Sequence, residues 1–376
     1  MEHLRQFPKL SRAQYERMLR PPAGRIRCVI DTDTRNEIDD QFALAWALLS
    51  QDKLDIAGIY AAPYSFRRRW ETLRAAARVK ENPAGASEAD AALLAEHRAQ
   101  LERLEQIGVD VHDRDAIDPQ GVTLVEPGRG MELSYEEILL VAEKMGIDCS
   151  DKVFRGSDRY LDSYDEPVAS AAATHLIETA RAASADSPLY VLAIGAVTNV
   201  ASALLLAPEI SERIVVVWTA GYPTTVTNIT QPSFNMEQDM LASQLLFDSG
   251  VPLVYLPGFH VGVQLGLSLP EMEAWVKGRG AIGDYLYWLY THNPHFPLNG
   301  LTDHFARSWI IWDLINFAWL LEPDWVPSRL IDAPYLSGDT RWYRQAAPRH
   351  VIREALDINR DAIYRDFFRK LEQAAR

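Results

Sequence analysis

Short apolar runs alternate with helix-length segments along most of this chain, and that alternation limits the possible folds more than any other feature. Arg25 to Asp33 reads as a strand, Asp39 to Gln51 as a helix, and Leu54 to Ala62 (LDIAGIYAA) as a second strand. Further on come a helix from Val168 to Ala183, a strand from Leu189 to Gly195 (LYVLAIG), a helix through Ala207 and a strand from Arg213 to Ala220 (RIVVVWTA). Met236 to Ser249 follows as an amphipathic helix and Pro252 to Pro257 (PLVYLP) as another buried strand. Such a rhythm predicts an α/β fold with an open, mostly parallel sheet flanked by helices.

Two stretches break the rhythm. Residues from about Ala75 to Asp118 are rich in Ala, Glu and Arg without a strand signal, which predicts exposed helices inserted between core elements. Pro270 to Trp325 reads as helical and is crowded with rings, among them Trp275, Trp288, Trp309, Trp312, Trp319 and Trp325, which must be buried or face a partner. Length alone would suggest two or three domains at about 150 residues each, but large α/β sheets run longer as one unit. With no repeat or low-complexity linker, the expectation is a single domain over residues 1–376 carrying a helical insertion at about 75–118.

Charge narrows the partners. A net charge of −14 and a pI near 5.1 argue against a nucleic acid or an anionic membrane, which call for clustered Lys and Arg. No stretch approaches the roughly 18 to 20 apolar residues of a membrane span, and the first residues (MEHLRQFPKLSRAQYERMLRPP) lack the apolar core of a signal peptide. A cytoplasmic protein with a small-molecule ligand is expected. Cys28 and Cys149 form no metal-spaced pair and read as free structural thiols.

The chemistry concentrates where the first strand gives way to the first helix. Asp31 to Asp40 reads DTDTRNEIDD, five acidic residues within ten positions. Strand ends line the ligand crevice of an open α/β sheet, and carboxylates gathered there repel one another unless a cation sits between them. Hard oxygen donors suit Ca²⁺ or Mg²⁺. Asp39 or Asp40 as a helix N-cap would explain one of these residues and not the set.

Three further segments belong with this loop. Gly195 to Asn199 (GAVTN) follows a strand and opens a helix, so it faces the same crevice, although alone it would be a glycine turn with Thr198 or Asn199 as a cap. Ser233 to Asp239 (SFNMEQD) also opens a helix, with Asn235 as the default cap. Asp313 lies inside the apolar run IIWDLINFAWLL, where an ionised carboxylate costs several kcal/mol unless paired or metal-bound.

Together, and in this order, the four segments resemble the inosine-uridine nucleoside hydrolase family. The acidic stretch is similar to its Asp-rich loop after strand one, GAVTN to its Gly-Pro-Leu-Thr-Asn turn, and SFNMEQD to its Glu-Phe-Asn segment with an Asp four residues on. WDLINFAWLLEP resembles its C-terminal helix bearing the last metal ligand. The resemblance implies a calcium ion (Ca²⁺) held by Asp33, Asp40, Asp313 and the main-chain oxygen of Thr198, with water and two ribose hydroxyls completing the shell. It implies Asp33 as the base that deprotonates the attacking water, Asp39 and Asp313 on the ribose 2′ and 3′ hydroxyls, and Asn235 on the sugar. The family tends to form homodimers or homotetramers, so a homo-oligomer is expected.

The chain departs from the family pattern in four places. Two extra residues separate Asp33 from Asp39, and Asn36 and Glu37 should project into or over the crevice as substrate contacts. A second group of nucleoside-hydrolase-like proteins is more similar here, sharing the Asn-Glu, a segment like Gly130 to Ile138 (GMELSYEEI) and a Trp-Asp on the last helix. Ser233 stands where better-known members have Glu, Trp312 where many have His, and Tyr60 to Ser65 (YAAPYS) lacks the usual Gly-Asn. His260, His292, His295 and His304 could each protonate a leaving base, and the sequence singles out none of them.

The leading expectation is a Ca²⁺-dependent hydrolase releasing base and ribose from a ribonucleoside or close analogue. A hydrolase of another N- or O-glycoside and a non-catalytic metal-dependent sugar or nucleoside binder are the alternatives. Retention of Asp33 beside Asp39, Asp40 and Asp313 favours catalysis, since a binder needs no base.

Overall fold

The computed structural model describes residues 6–113, 124–229, 231–298, 301, 303–345 and 349–376, with only the backbone of 297 and 298. Its strands are β1 (Ile26–Thr32), β2 (Leu54–Ala61), β3 (Val153–Arg155), β4 (Leu189–Ala193), β5 (Ile214–Ala220), β6 (Leu253–Pro257), β7 (Gly266–Ser268), β8 (Ser308–Ile310), β9 (Ser328–Asp332), β10 (Tyr335–Leu336), β11 (Trp342–Tyr343) and β12 (Val351–Ala355). Eight of them form one sheet in the order β3-β2-β1-β4-β5-β6-β12-β9, parallel throughout except for β9 against β12. The expected α/β architecture, an open, mostly parallel sheet between helices, is what the chain adopts.

The central strands are apolar on both faces because both faces are covered. Alternate side chains serve opposite layers: Cys28, Ile30, Val215 and Val217 join one core, whereas Val29, Val191, Val216 and Trp218 join the other. Helices Asp39–Leu48, Pro127–Lys144, Leu314–Leu321 and Arg360–Ala374 pack on the first face. Ala171–Arg181, Thr198–Leu206 and Met240–Asp248 pack on the second.

Strand order decides where the crevice lies. From β1 the chain moves outward to β2 and β3, then returns to place β4 on the opposite side of β1. The order of strand addition therefore reverses between the parallel strands β1 and β4, whose carboxyl ends meet at the pairing of Asp31 with Ala193. Diverging connections leave a gap at such a reversal, and ligands bind there.

Several segments differ from the sequence-based expectation. The aromatic stretch after Pro270 is not wholly helical: Trp309 lies on β8, which pairs antiparallel with β7. The helix expected over Met236 to Ser249 is two helices, Phe234–Gln238 and Met240–Asp248, separated at Asp239. Asp239 is extended because its carboxylate caps the second helix at Ala242 N and also accepts from Leu161 N and Thr198 Oγ1. In the alanine-rich stretch, Arg67–Glu81 and Glu88–Gln106 are helices sharing a small core of Trp70, Leu73, Ala76, Leu101 and Leu104 with Phe66 and Leu133. The part of that stretch from 114 to 118 lies outside the described residues. Among the described residues, no helix is long and apolar enough to cross a membrane.

Candidate active site

The acidic loop and GAVTN meet at the reversal between β1 and β4, and Asn235 of SFNMEQD reaches it through Ile194 O. Asp33 follows β1, and Asp39 and Asp40 are the first two residues of the next helix. Neither is its N-cap: Ile38 holds that position without a side-chain hydrogen bond. Both carboxylates thus stand over the positive end of the helix, where anions are favoured. Asp313 arrives from the far end of the chain, at the start of helix Leu314–Leu321. Oxygen atoms of Asp39, Asp40 and Asp313 all lie within 4.8 Å of one another, and all three side chains are buried.

Asp33 flanks this triple rather than belonging to it. Its carboxylate lies against Gly195 so closely that a Cβ on the glycine would stand 2.6 Å from Asp33 Cγ. Any side chain at the first residue of GAVTN would expel Asp33. Asn36, in the loop between Asp33 and Asp39, donates from Nδ2 to Asp33 Oδ2 at 3.0 Å and from its main-chain N–H to Asp33 O at 2.9 Å. Asn36 is itself buried, and its Oδ1 has no hydrogen-bond partner among the described residues. Glu37 is half-buried, and its charge acts on Asp33, Asp39 and Asp40.

Burial, above all, pushes the proton affinity of Asp33, Asp39, Asp40 and Asp313 well above the ordinary carboxylate range, and their mutual repulsion adds to it. A divalent cation answers that stress. The donor set is all oxygen, closely spaced and acidic, which suits Ca²⁺ or Mg²⁺ and not a soft metal. Thr32 Oγ1 donates to Asp40 Oδ1, fixing one carboxylate from the strand itself.

The two helix-opening turns are tied to this centre by amides and hydroxyls. Thr198 opens the helix after β4, with its hydroxyl donating to Asp239 Oδ2 at 2.7 Å. Asn199 donates from Nδ2 to Asp31 Oδ1 at 2.7 Å and accepts from Ser157 N at 2.7 Å. Burial raises Asp31 to about 7, an effect that the Asn199 bond opposes. Asn235 commits Nδ2 to the carbonyls of Ile194 and Thr219, each at 3.0 Å, which leaves only Oδ1 to face the crevice.

The family model of the inosine-uridine preferring nucleoside hydrolases matches residues 28–365, from β1 to the last helix. The chain belongs to this family. Among solved structures it is similar to a purine-preferring ribonucleoside hydrolase from Gardnerella vaginalis, with 16% identity, a TM-score of 0.60 and coverage of 93% of this chain and 99% of that one. An inosine-uridine preferring nucleoside hydrolase from Bacillus anthracis is 17% identical with a TM-score of 0.55, over 93% of this chain and 99% of its own. At these identities the structures establish a shared fold. An uncharacterised protein from Schizosaccharomyces pombe is 31% identical over 149 residues, 38% of this chain and 46% of that protein, so the match spans about half the length of the curated relative.

Where this chain departs from the family pattern, the structure supplies other partners. Ser233 Oγ accepts from Gly221 N at 2.9 Å. Gln238 bridges the segment after β2 in both directions, accepting from Ser65 N at 2.9 Å and donating to Ser65 O at 3.0 Å, and Tyr160 also donates to it. Phe66 stacks on Phe234 at 4.9 Å and meets His295 at 5.3 Å. His295 is buried and donates from Nε2 to Asn36 O at 3.1 Å. His260 and His292 are exposed, and His304 packs against Tyr290 and Phe296.

Thr32, Asn316 and Gln238 escaped the sequence reading, and Asn199 was read only as a possible cap. A polar residue inside an apolar helical run is a detectable signal, and Asn316, three residues after Asp313, carries it. Its Nδ2 donates to Ala193 O and Val217 O, each at 2.9 Å, and its Oδ1 accepts from Thr219. Gln238 has no such signal, because its partners lie 173 and 78 residues away.

Proposed function

We propose that the protein hydrolyses the N-glycosidic bond of a ribonucleoside or close analogue, releasing base and ribose, with a calcium ion in its acidic centre. The observation that carries this reading is the buried triple of Asp39, Asp40 and Asp313 beside Asp33 at the sheet reversal. Asp33, Asp40, Asp313 and the Thr198 main-chain oxygen would hold the ion, which when bound acidifies water and gathers the sugar hydroxyls.

Asp33 takes a proton from the attacking water. Asn36 occupies Asp33 Oδ2, which leaves Oδ1, beside Gly195, to take the proton. Asp39 and Asp313 accept from the ribose 2′ and 3′ hydroxyls, and Asn235 Oδ1 and Asn36 Oδ1 are further acceptors for the sugar. As the bond to the base lengthens, positive charge grows on the sugar ring and the surrounding carboxylates stabilise it. His295, which bonds Asn36 O, and the Phe66–Phe234 pair packed against it are the aromatic surface on which a flat base would stack.

Ser233 favours a second substrate class, another N- or O-glycoside. A serine brings no carboxylate to that position: its Oγ accepts from Gly221 N and keeps its own proton to donate. A panel of purine and pyrimidine nucleosides, assayed for free reducing sugar with and without a chelator, tests the proposal. Chelator-sensitive release from at least one riboside is expected. A metal-replete protein inert toward all of them would remove the nucleoside reading.

A further inference from the structure

The segment GMELSYEEI has no part in the reaction described so far. It lies in helix Pro127–Lys144, where Gly130, Ser134 and Glu137 fall at i, i+4 and i+7 and share one face. That face follows the exit of β2. A Cβ on Gly130 would stand 2.1 Å from Tyr64 O, and Ser134 Oγ donates to Ala62 O at 3.2 Å. Glu137 closes the stripe, with 2% of its surface exposed.

Its carboxylate is a junction of three elements besides its own. One oxygen accepts from Gln41 Nε2 at 3.2 Å, on the helix that begins with Asp39 and Asp40, and from the Tyr285 hydroxyl on helix Gly280–Thr291. The other lies 3.7 Å from the guanidinium of Arg35, in the inserted loop. A carboxylate this deep is retained only when donors and a cation gather around it. Arg35 is also where the loop turns: its φ is +81°, a left-handed conformation that an arginine adopts only when its surroundings impose it. The next residue is Asn36, which grips Asp33 through both main chain and side chain.

We propose that Glu137 is a positioning residue for Asp33: by holding Arg35 on one side and Gln41 on the other, it sets the conformation of the loop that brings Asn36 onto Asp33. The two additional residues between Asp33 and Asp39 enlarge the loop's conformational freedom, and a fixed point in its middle removes that freedom before substrate arrives. Glu137 touches no reacting atom. The inference rests on the reading of Asp33 as the base.

The test compares E137Q, R35A and Y285F by amide hydrogen exchange, melting temperature and turnover of the best riboside in the panel. E137Q and R35A should speed exchange at Asn36 about tenfold or more while β4 and β5 are unchanged, and should lower kcat about tenfold with little change in KM. The R35A/E137Q double variant should be no worse than E137Q, because the two act through one path. Y285F removes a donor without touching the loop, so it should lower melting temperature alone. If E137Q fails to fold, R35A, whose side chain is half exposed, carries the test. Unchanged Asn36 exchange in R35A, a uniform acceleration at all amides, or faster exchange with unaltered kcat would each overturn the proposal. A wild type inert toward every riboside would sink the functional reading, and the exchange contrast would still decide whether Glu137 holds the loop.

Discussion

Asp33 is buried between Gly195 and Asn36, and its charge faces three other carboxylates. Asn in its place keeps the shape and one oxygen but cannot take a proton. Asp33→Asn should therefore lower kcat by about 10² to 10⁴ while leaving the circular dichroism spectrum intact. Near-wild-type turnover would remove Asp33 from the base role. The sugar offers a second residue-scale test. If Asp39 and the ion both use the ribose hydroxyls, a 2′-deoxyriboside leaves buried acceptors unpaired, so its kcat/KM should fall by about 10² or more. Equal values for the riboside and its deoxy analogue would show that the sugar is held differently. Of these residues, Asp33, Asp39 and Asp40 were legible because acids crowd together at a strand end, and Asp313 because an acid in an apolar run is conspicuous. Thr32 and Gln238 were not, because nothing in their neighbourhood along the chain marks the distant group they bond.

Helix Leu314–Leu321 shows how an element delivers a side chain. Asp313 leads it, and Asn316 pins it to the carbonyls of β4 and β5 one turn later. Asn316→Ala would remove the second hydrogen bond of two sheet carbonyls and leave the Thr219 hydroxyl without this acceptor, which should cost about 1 to 3 kcal/mol in urea unfolding. A loss below 1 kcal/mol would mean that packing alone seats the helix. The helical pair after β2 acts on the opposite rim. Arg69 binds Glu237 at 2.7 Å, and Phe66 stacks on Phe234, so this pair braces the segment carrying Asn235. Replacing residues 75–118 by a short Gly-Ser linker should expose Trp70 and loosen Phe66, raising KM more than it lowers kcat. Steady-state kinetics of the soluble shortened protein would check this, and unchanged KM would separate the helical pair from the site.

At the scale of the whole molecule, four buried carboxylates couple stability to metal and pH. In the metal-free protein Asp33, Asp39, Asp40 and Asp313 keep their protons to higher pH than in the unfolded chain. The folded state then binds more protons than the unfolded state once pH exceeds about 4, and its stability falls as pH rises through that window. Each such group contributes a slope of up to about 1.4 kcal/mol per pH unit. Chelated protein should therefore melt at a lower temperature at pH 8 than at pH 5. Calcium at 100 times its Kd should restore about 2.7 kcal/mol at neutral pH. A chelated protein whose melting temperature rose between pH 5 and pH 8, or that ignored calcium, would contradict the assignment of this cluster.

The parallel α/β architecture and the identity of the acidic residues were set by the sequence itself, because strands buried on both faces need continuous apolar runs and an ionised group among them stands out. The sequence also carried the family resemblance, spread over four segments whose order along the chain is informative. Tertiary structure alone decided which of those segments meet. The reversal between β1 and β4 brings Asp33 against Gly195, and the seat of the last helix carries Asp313 to Asp39 and Asp40 from more than 270 residues away. It also decided that Asp239 breaks a helix expected to be continuous, and that Glu137 reaches Arg35 and Gln41. These are hydrogen bonds and ion pairs between side chains remote in sequence. Local propensity and periodicity describe what a segment does with its neighbours along the chain, and hold no information about which distant donor a buried carboxylate will find.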